Sequence, residues 1–184
     1  MASRCEVHLR TNDINTARQM ATLSAAETWR IERKYSRFDG DSELSRINLC
    51  YEQWQTIDSE TVALLEFAAV CYQLSEGSFD ISAGPVLKLW NYHSGATVPT
   101  AASISDALTL VGFDKILRNA NQLFLPANMS LDLGGVAKEY ACDKVANMLA
   151  SQFGSVAALV NLGEDISCSL AVKEPWDIGV EDPD

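Results

Sequence analysis

Leu131-Asp132-Leu133-Gly134-Gly135-Val136-Ala137-Lys138 is the stretch on which the fold of this chain turns. Met129 to Leu133 has the length and apolar content of a short strand, and Gly134-Gly135 makes a tight turn. Val136 to Phe153 then reads as an amphipathic helix closed by Gly154. Its buried face is expected to use Val136, Tyr140, Met148 and Phe153, with Ala137, Ala141 and Val145 beside it. A strand that runs through glycine into a helix brings backbone N–H groups to the positive end of the helix dipole, where an anion can sit. Lys138 adds a cation in the first turn. The spacing is neither a Walker A loop nor a dinucleotide fingerprint, so it names no particular anion. A plain strand-to-helix turn, with Asp132 as a cap or a solvated acid, accounts for the same residues.

Working outward, Cys5 to Leu9 alternates like a half-buried strand, and Asn12 and Asp13 offer caps for a helix running to about Lys34. Its face is expected at Ile14, Ala17, Ala21, Ala25, Thr28, Trp29 and Glu32. A polar turn, Ser36 to Ser42, leads into a short helix over Glu43 to Ile47. Asp58 and Ser59 cap a further helix with Val62, Leu65, Ala69 and Tyr72 on one face, ending near Glu76-Gly77. Residues 91–102 read as a loop, and Ser103 with Asp106 as a capping box for Ile104 to Val111. Short strands are expected around Ile116, at Gln122 to Leu125, Ala157 to Val160, Ile166 to Leu170 and Trp176 to Val180. Strands and helices mixed without regular βαβ alternation indicate one α+β domain.

The composition excludes several classes. The chain has 184 residues, 47% hydrophobic and 21% charged, and 14 Lys and Arg against 25 Asp and Glu leave a net charge of −11. Such a surface is unsuited to nonspecific binding of nucleic acid or an anionic membrane. No apolar run approaches the roughly 20 residues of a membrane span. The start, Met1-Ala2-Ser3-Arg4-Cys5, shows no apolar signal-peptide core. Cys5, Cys50, Cys71, Cys142 and Cys168 are odd in number and never form a Cys-x-x-Cys pair, so they read as reduced core thiols and suggest a cytoplasmic setting.

Two other stretches carry chemistry. In Gly77-Ser78-Phe79-Asp80-Ile81-Ser82-Ala83-Gly84-Pro85, small residues surround one aromatic and one acid, which suits a planar ligand lying on backbone. Asp80 can accept from a ring N–H or a ribose hydroxyl, while the plain alternative is a Gly/Pro turn with Phe79 in the core. In Asn161-Leu162-Gly163-Glu164-Asp165, the acids can help hold a metal or simply shape a hairpin turn. His8 and His93 have no serine or cysteine partner at motif spacing, so a hydrolase triad has no support.

Taken together, the segments resemble the ApbE family of FAD:protein FMN transferases. The resemblance is carried, in order, by Met1-Ala2-Ser3, Tyr35-Ser36-Arg37-Phe38, Asp41 to Asn48, Gly77 to Trp90, Asp132 to Asp143, Asn161 to Ile166 and Pro175 to Val180. It implies an ApbE-like, T-fold-related α+β fold with a mixed or antiparallel sheet packed by helices. It also implies Mg²⁺-dependent transfer of FMN from FAD to a Thr or Ser hydroxyl of an acceptor protein, a subunit of a flavin-dependent redox complex, with release of AMP. Family members are often periplasmic, membrane-anchored lipoproteins.

By position, the resemblance makes Met1, Phe38, Ser78, Phe79, Asp80, Asp132 and Lys138 contacts of FAD, and Gly135 the donor of a backbone carbonyl to Mg²⁺. It assigns no catalytic side chain. Phe38 stands where members often have Tyr, Ala2-Ser3 where they have Gly-Thr, and Glu139 and Glu164 where Gly is usual. Members continue past the equivalent of Asp182-Pro183, so residues 1–184 are expected to be the N-terminal, FAD-contacting portion, truncated before an Asp and a Thr that hold Mg²⁺. The alternatives are a non-catalytic FAD-binding remnant and an FAD pyrophosphatase giving FMN and AMP. Ser94-Gly95-Ala96-Thr97 resembles the acceptor sequence itself, which makes Thr97 a candidate for self-modification.

Overall fold

The computed structural model describes residues 3–90, 98–163, 165–169 and 175–179. In chain order the elements are β1 (Cys5–Leu9), α1 (Ile14–Tyr35), α2 (Glu43–Leu49), β2 (Trp54–Thr56), α3 (Ser59–Leu74), α4 (Gly84–Leu87), α5 (Ala101–Leu108), a 3-10 turn (Phe113–Lys115), β3 (Leu117–Asn119), β4 (Gln122–Phe124), α6 (Gly134–Gln152), β5 (Ala158–Leu162) and β6 (Ile166–Cys168). They form two compact units, a terminal one of Met1–Ile31 with Lys138–Asp184 and a middle one of Glu32–Ala137. The α+β class, with antiparallel sheets and helices, is the one the sequence indicates.

The terminal unit holds an antiparallel sheet of order β1-β5-β6, with Val7 opposite Val160 and Leu159 opposite Cys168. Strand β5 is central, and Ala158, Leu159, Val160 and Leu162 are buried. Asp13 starts α1 by accepting the N–H groups of Asn15 and Thr16 and the Thr16 hydroxyl. These bonds hold the Asp13 carboxyl below its usual range.

The middle unit holds a second antiparallel sheet, order β2-β4-β3, with Gln55, Leu123 and Arg118 in register. Leu123 is fully buried, with Leu44, Leu64, Leu65 and Leu125 in the same core. Helices α2 and α3 begin at Ser42 and Asp58, whose side chains accept the N–H groups of Ser45 and Thr61. Helix α3 closes as Gly77, at φ +81°, returns its N–H to the Tyr72 carbonyl at 2.8 Å.

Several expectations are corrected. Met129 to Leu133 is no strand: Ser130 makes one parallel bridge to Ala83, and the Asn48 amide takes both the N–H and the carbonyl of Leu131, at 2.7 and 3.0 Å. A side chain there does what a neighbouring strand would do. Gly134 and Gly135 lie inside the first turn of α6 rather than in a turn before it. The buried stripe of α6 is Val136, Ala137, Ala141, Cys142, Val145, Ala146 and Leu149; Val136, Ala137, Ala141 and Val145 are buried as expected, while Tyr140, Met148 and Phe153 are only half-buried. In α1 the buried side is Met20, Ser24, Thr28, Ile31 and Tyr35, which leaves Ile14 and Trp29 exposed.

Thr100, not Ser103, caps α5 by accepting the Ser103 N–H at 3.1 Å. Residues 175–179 are not a strand; Arg10 tethers them, donating to the Pro175 carbonyl at 2.8 Å with its guanidinium over the Trp176 ring. Strands β2 and β6 and helix α4 are only three to four residues long. No described helix is long and apolar enough to cross a membrane.

Candidate functional site

The loop before α2 is built by serines. Ser42 Oγ donates to the Ser36 carbonyl and Ser45 Oγ to the Asp39 carbonyl, each at 2.7 Å. Ser36 Oγ accepts the Phe38 N–H at 3.3 Å. This frame pushes Phe38 outward, leaving it 85% exposed, with the Arg37 guanidinium 4.6 Å from its ring centre. Arg37 also reaches Asp132 Oδ2 at 3.0 Å, while Oδ1 of the same carboxylate accepts the Gly134 N–H at 2.7 Å. Asp132 is therefore a clamp on the start of α6, its side chain only 12% exposed.

Beside this clamp the middle unit has a groove of about 750 Å³, within the ordinary size of ligand pockets. Its walls include Arg37, Phe38, Asn48, Leu87, Trp90 and Leu131. Trp90 offers a partly exposed ring and Leu49 an exposed apolar rim. The sequence motifs contain Arg37, Asn48 and Trp90, but nothing in their spacing marks them as walls of one groove. The Asn48 bond to Leu131, 83 residues on, and the Arg37 pair with Asp132 bring two of these walls to the segment before α6.

The Gly77–Gly84 loop meets the same segment. The edge of the Phe79 ring lies so close to Gly135 that a Cβ there would stand 2.8 Å from Phe79 Cε2. The Ile81 carbonyl accepts the Asp132 N–H at 2.7 Å. Phe79 is half-buried and Ser78 exposed. Asp80 does not face outward: Oδ1 accepts the Ser82 N–H at 2.7 Å and Oδ2 the Phe113 N–H at 3.0 Å. Phe38, Phe79, Asp132 and Gly135 thus come together with Arg37 around the start of α6, and Asp80 stands behind them.

In the terminal unit Lys138 Nζ lies 3.5 Å from Asp165 Oδ2 and 3.4 Å from the Gly163 carbonyl. Gly163, at φ +70°, turns β5 into β6, and Ser3 occupies the space its side chain would need. Cys142 Sγ lies 3.2 Å from both the Val160 and the Asp165 carbonyls, which share its single S–H, and burial pushes its thiol up to about 11. Asp165 is thus an ion-pair partner of Lys138. Among the described residues no three His, Cys, Asp or Glu side chains gather as a metal centre. Met1, His93, Thr97, Glu164 and Asp182 lie outside the described residues.

The FAD:protein FMN transferase of Treponema pallidum is 32% identical over 146 residues, covering 69% of this chain and 40% of that protein. The Haemophilus influenzae protein of the same name is 28% identical over 165 residues, covering 83% and 47%. The chain therefore spans less than half the length of these relatives. The crystal structure of the ApbE protein of Thermotoga maritima superimposes with a TM-score of 0.89 at 30% identity, covering 97% of this chain and 60% of that one. The Vibrio cholerae flavin transferase ApbE superimposes at 0.88 with 23% identity, which speaks for the fold alone. The ApbE family model matches residues 1–184, and this chain belongs to the ApbE family.

Proposed function

We propose that residues 1–184 are the FAD-contacting portion of an ApbE-type flavin transferase, which moves FMN from FAD to a Thr or Ser hydroxyl of an acceptor protein. The observation that carries this reading is the groove walled by Phe38 and Arg37 beside the clamped start of α6, in a chain matched by the family model throughout. Phe38, Phe79 and Trp90 supply ring faces for a planar group. The first turn of α6 supplies the positive end of a helix dipole for a diphosphate. Lys138, held by Asp165 and Gly163, supplies a cation. Met1 and Ser78 complete the proposed contacts.

In the transfer the acceptor oxygen bonds to the FMN phosphorus, the P–O bond to AMP breaks, and AMP leaves with that electron pair. The hydroxyl proton passes to a base outside the groups described above. Mg²⁺, when bound, supplies charge neutralisation at the diphosphate, and Gly135 is the backbone contact proposed for it here. The residues of this chain bind and orient FAD. The acceptor is proposed to be a flavin subunit of a redox complex.

The test is AMP release from FAD by the purified chain, with and without a peptide bearing a Thr acceptor. AMP release that requires the peptide, with the peptide gaining the mass of FMN, supports transfer. AMP without the peptide identifies a pyrophosphatase, and FAD binding with no AMP shows that residues 1–184 bind FAD but do not carry out the transfer by themselves.

A further inference from the structure

Ser82 is fully buried, and its hydroxyl accepts the Gly112 N–H at 2.7 Å. One residue further, the Phe113 N–H goes to Asp80 Oδ2 at 3.0 Å, and the second oxygen of Asp80 accepts the Ser82 N–H at 2.7 Å. Asp80 and Ser82 therefore act as a pair on two consecutive amides of a turn 30 residues away. The turn they grip is itself fixed. Gly112 has φ +147°, and a Cβ there would stand 2.9 Å from Asp114 Oδ1, so only glycine fits without strain. Phe113 is buried, with its ring against Tyr72 at 5.6 Å and the Arg118 guanidinium 4.8 Å above it.

The neighbouring residues Phe79 and Ile81 reach the segment that opens α6. Phe79 lays its ring edge on Gly135, and the Ile81 carbonyl accepts the Asp132 N–H. The loop is a short bridge from the 112–113 turn to the start of α6. A carboxylate whose two oxygens each hold a backbone N–H is poorly placed to turn toward a ligand, because doing so strips partners from half-buried amides.

We infer that Asp80 and Ser82 are positioning residues, which act on FAD by holding Phe79 and Asp132 against the start of α6 rather than by touching it. This inference rests on the flavin reading given above and gives Asp80 a different part within it. The expected signature is coupling between the two side chains. Removing either loosens the same bridge, so removing both adds little to removing one.

The experiment uses the 184-residue chain and its Ser82→Ala, Asp80→Ala and double variants. FAD affinity is followed by flavin fluorescence, below the melting point of every variant. Amide hydrogen exchange at Gly112 and Phe113 is followed without FAD. Ser82→Ala should weaken FAD binding about tenfold, the worth of one hydrogen bond, and Asp80→Ala at least as much. The double variant should match Asp80→Ala, and both amides should exchange faster in each variant. Ser82→Cys keeps the buried volume but accepts hydrogen bonds weakly, and it carries the same test where Ser82→Ala fails to fold. Wild-type affinity in Ser82→Ala, or losses that multiply in the double variant, would make Asp80 a direct ligand and overturn the inference. Amides already fast in the wild type would remove the staple itself. A wild-type chain that binds no FAD while both amides are protected would overturn the flavin reading instead.

Discussion

Arg37 and Asp132 are 95 residues apart and meet at 3.0 Å, and through them the exposed Phe38 ring is tied to the first turn of α6. Replacing Arg37 with Met removes the partner of a carboxylate that is only 12% exposed. The expected cost is about 1–3 kcal/mol of stability, with FAD binding weakened as Phe38 loses its stacked cation. Arg37→Lys should recover only part of either loss, because a point charge does not reproduce the planar contact with the ring. Thermal melts and FAD titrations of both variants read this. Equal affinity in all three proteins would detach Arg37 from the site.

Glycine replacements separate stability from binding. At Gly84 a Cβ would stand 2.5 Å from the Ser130 carbonyl oxygen, so Gly84→Ala should cost about 1–3 kcal/mol of stability by overpacking. At Gly135 the obstacle is the edge of the Phe79 ring, 2.8 Å away, which can rotate. Gly135→Ala should keep stability within about 1 kcal/mol, helped by alanine's helix propensity, yet bind FAD more weakly. Gly40 has nothing within 4 Å of its Cβ position, and Gly40→Ala should leave stability unchanged.

Lys34 gathers Asp58, Glu60 at 2.7 Å and Glu43 at 3.8 Å around one ammonium whose side chain is 13% exposed. Burial alone would lower the Lys34 pKa, but the bonds to Asp58 and Glu60 outweigh it and raise it above its usual value. Asp58 moves the other way: burial would raise it, and the bonds from Lys34 and Thr61 lower it. The lysine's contribution is thus complete below about pH 10 and lost only as pH rises beyond that. The aspartate's contribution is complete above about pH 5 and lost as pH falls through its lowered pKa. Lys34→Met should therefore lower the melting temperature most between those limits, and the gap to wild type should shrink in acid. A gap that does not change from pH 3 to pH 8 would contradict this network.

Of the cysteines expected in the core only Cys142 is buried, with two carbonyls in reach of its thiol and burial holding it up to about pKa 11, whereas Cys50 and Cys71 are half-buried and Cys5 and Cys168 exposed. At pH 8 an alkylating reagent should modify Cys5 and Cys168 in the native protein and reach Cys142 only after unfolding, because the thiolate is the reactive form. Peptide mass mapping after timed alkylation checks the order.

What the sequence makes legible depends on where each signal lies. Asp13 and Asp58 announce helix starts because a cap acts within three residues of itself. Strands at Cys5–Leu9 and near Ala158–Leu162, and the α+β class, are legible from local pattern and element order, while the antiparallel pairing of those strands is seen only in the structure. The strand expected at Met129 to Leu133 fails because apolar content cannot show that Asn48, far back in the chain, fills the hydrogen bonds a strand would need. In α1 and α6 the bulky Trp29 and Tyr140 look like core residues by type but stand exposed and half-buried, while Ser24 and Cys142, with no such mark, are buried. Phe79, Asp132 and Gly135 are visible as candidates because they sit in glycine-rich stretches. Arg37 is not, since an arginine in a polar turn carries no local mark of a partner 95 residues on.

The most direct test of the account is a titration of the purified 184-residue chain with FAD, followed by flavin fluorescence with and without Mg²⁺ and repeated with Asp132→Ala. The account predicts saturable binding by the wild-type chain and a loss of at least tenfold, about 1.4 kcal/mol, when the clamp on the start of α6 is removed. A folded wild-type chain that leaves flavin fluorescence unchanged at all FAD concentrations would contradict it.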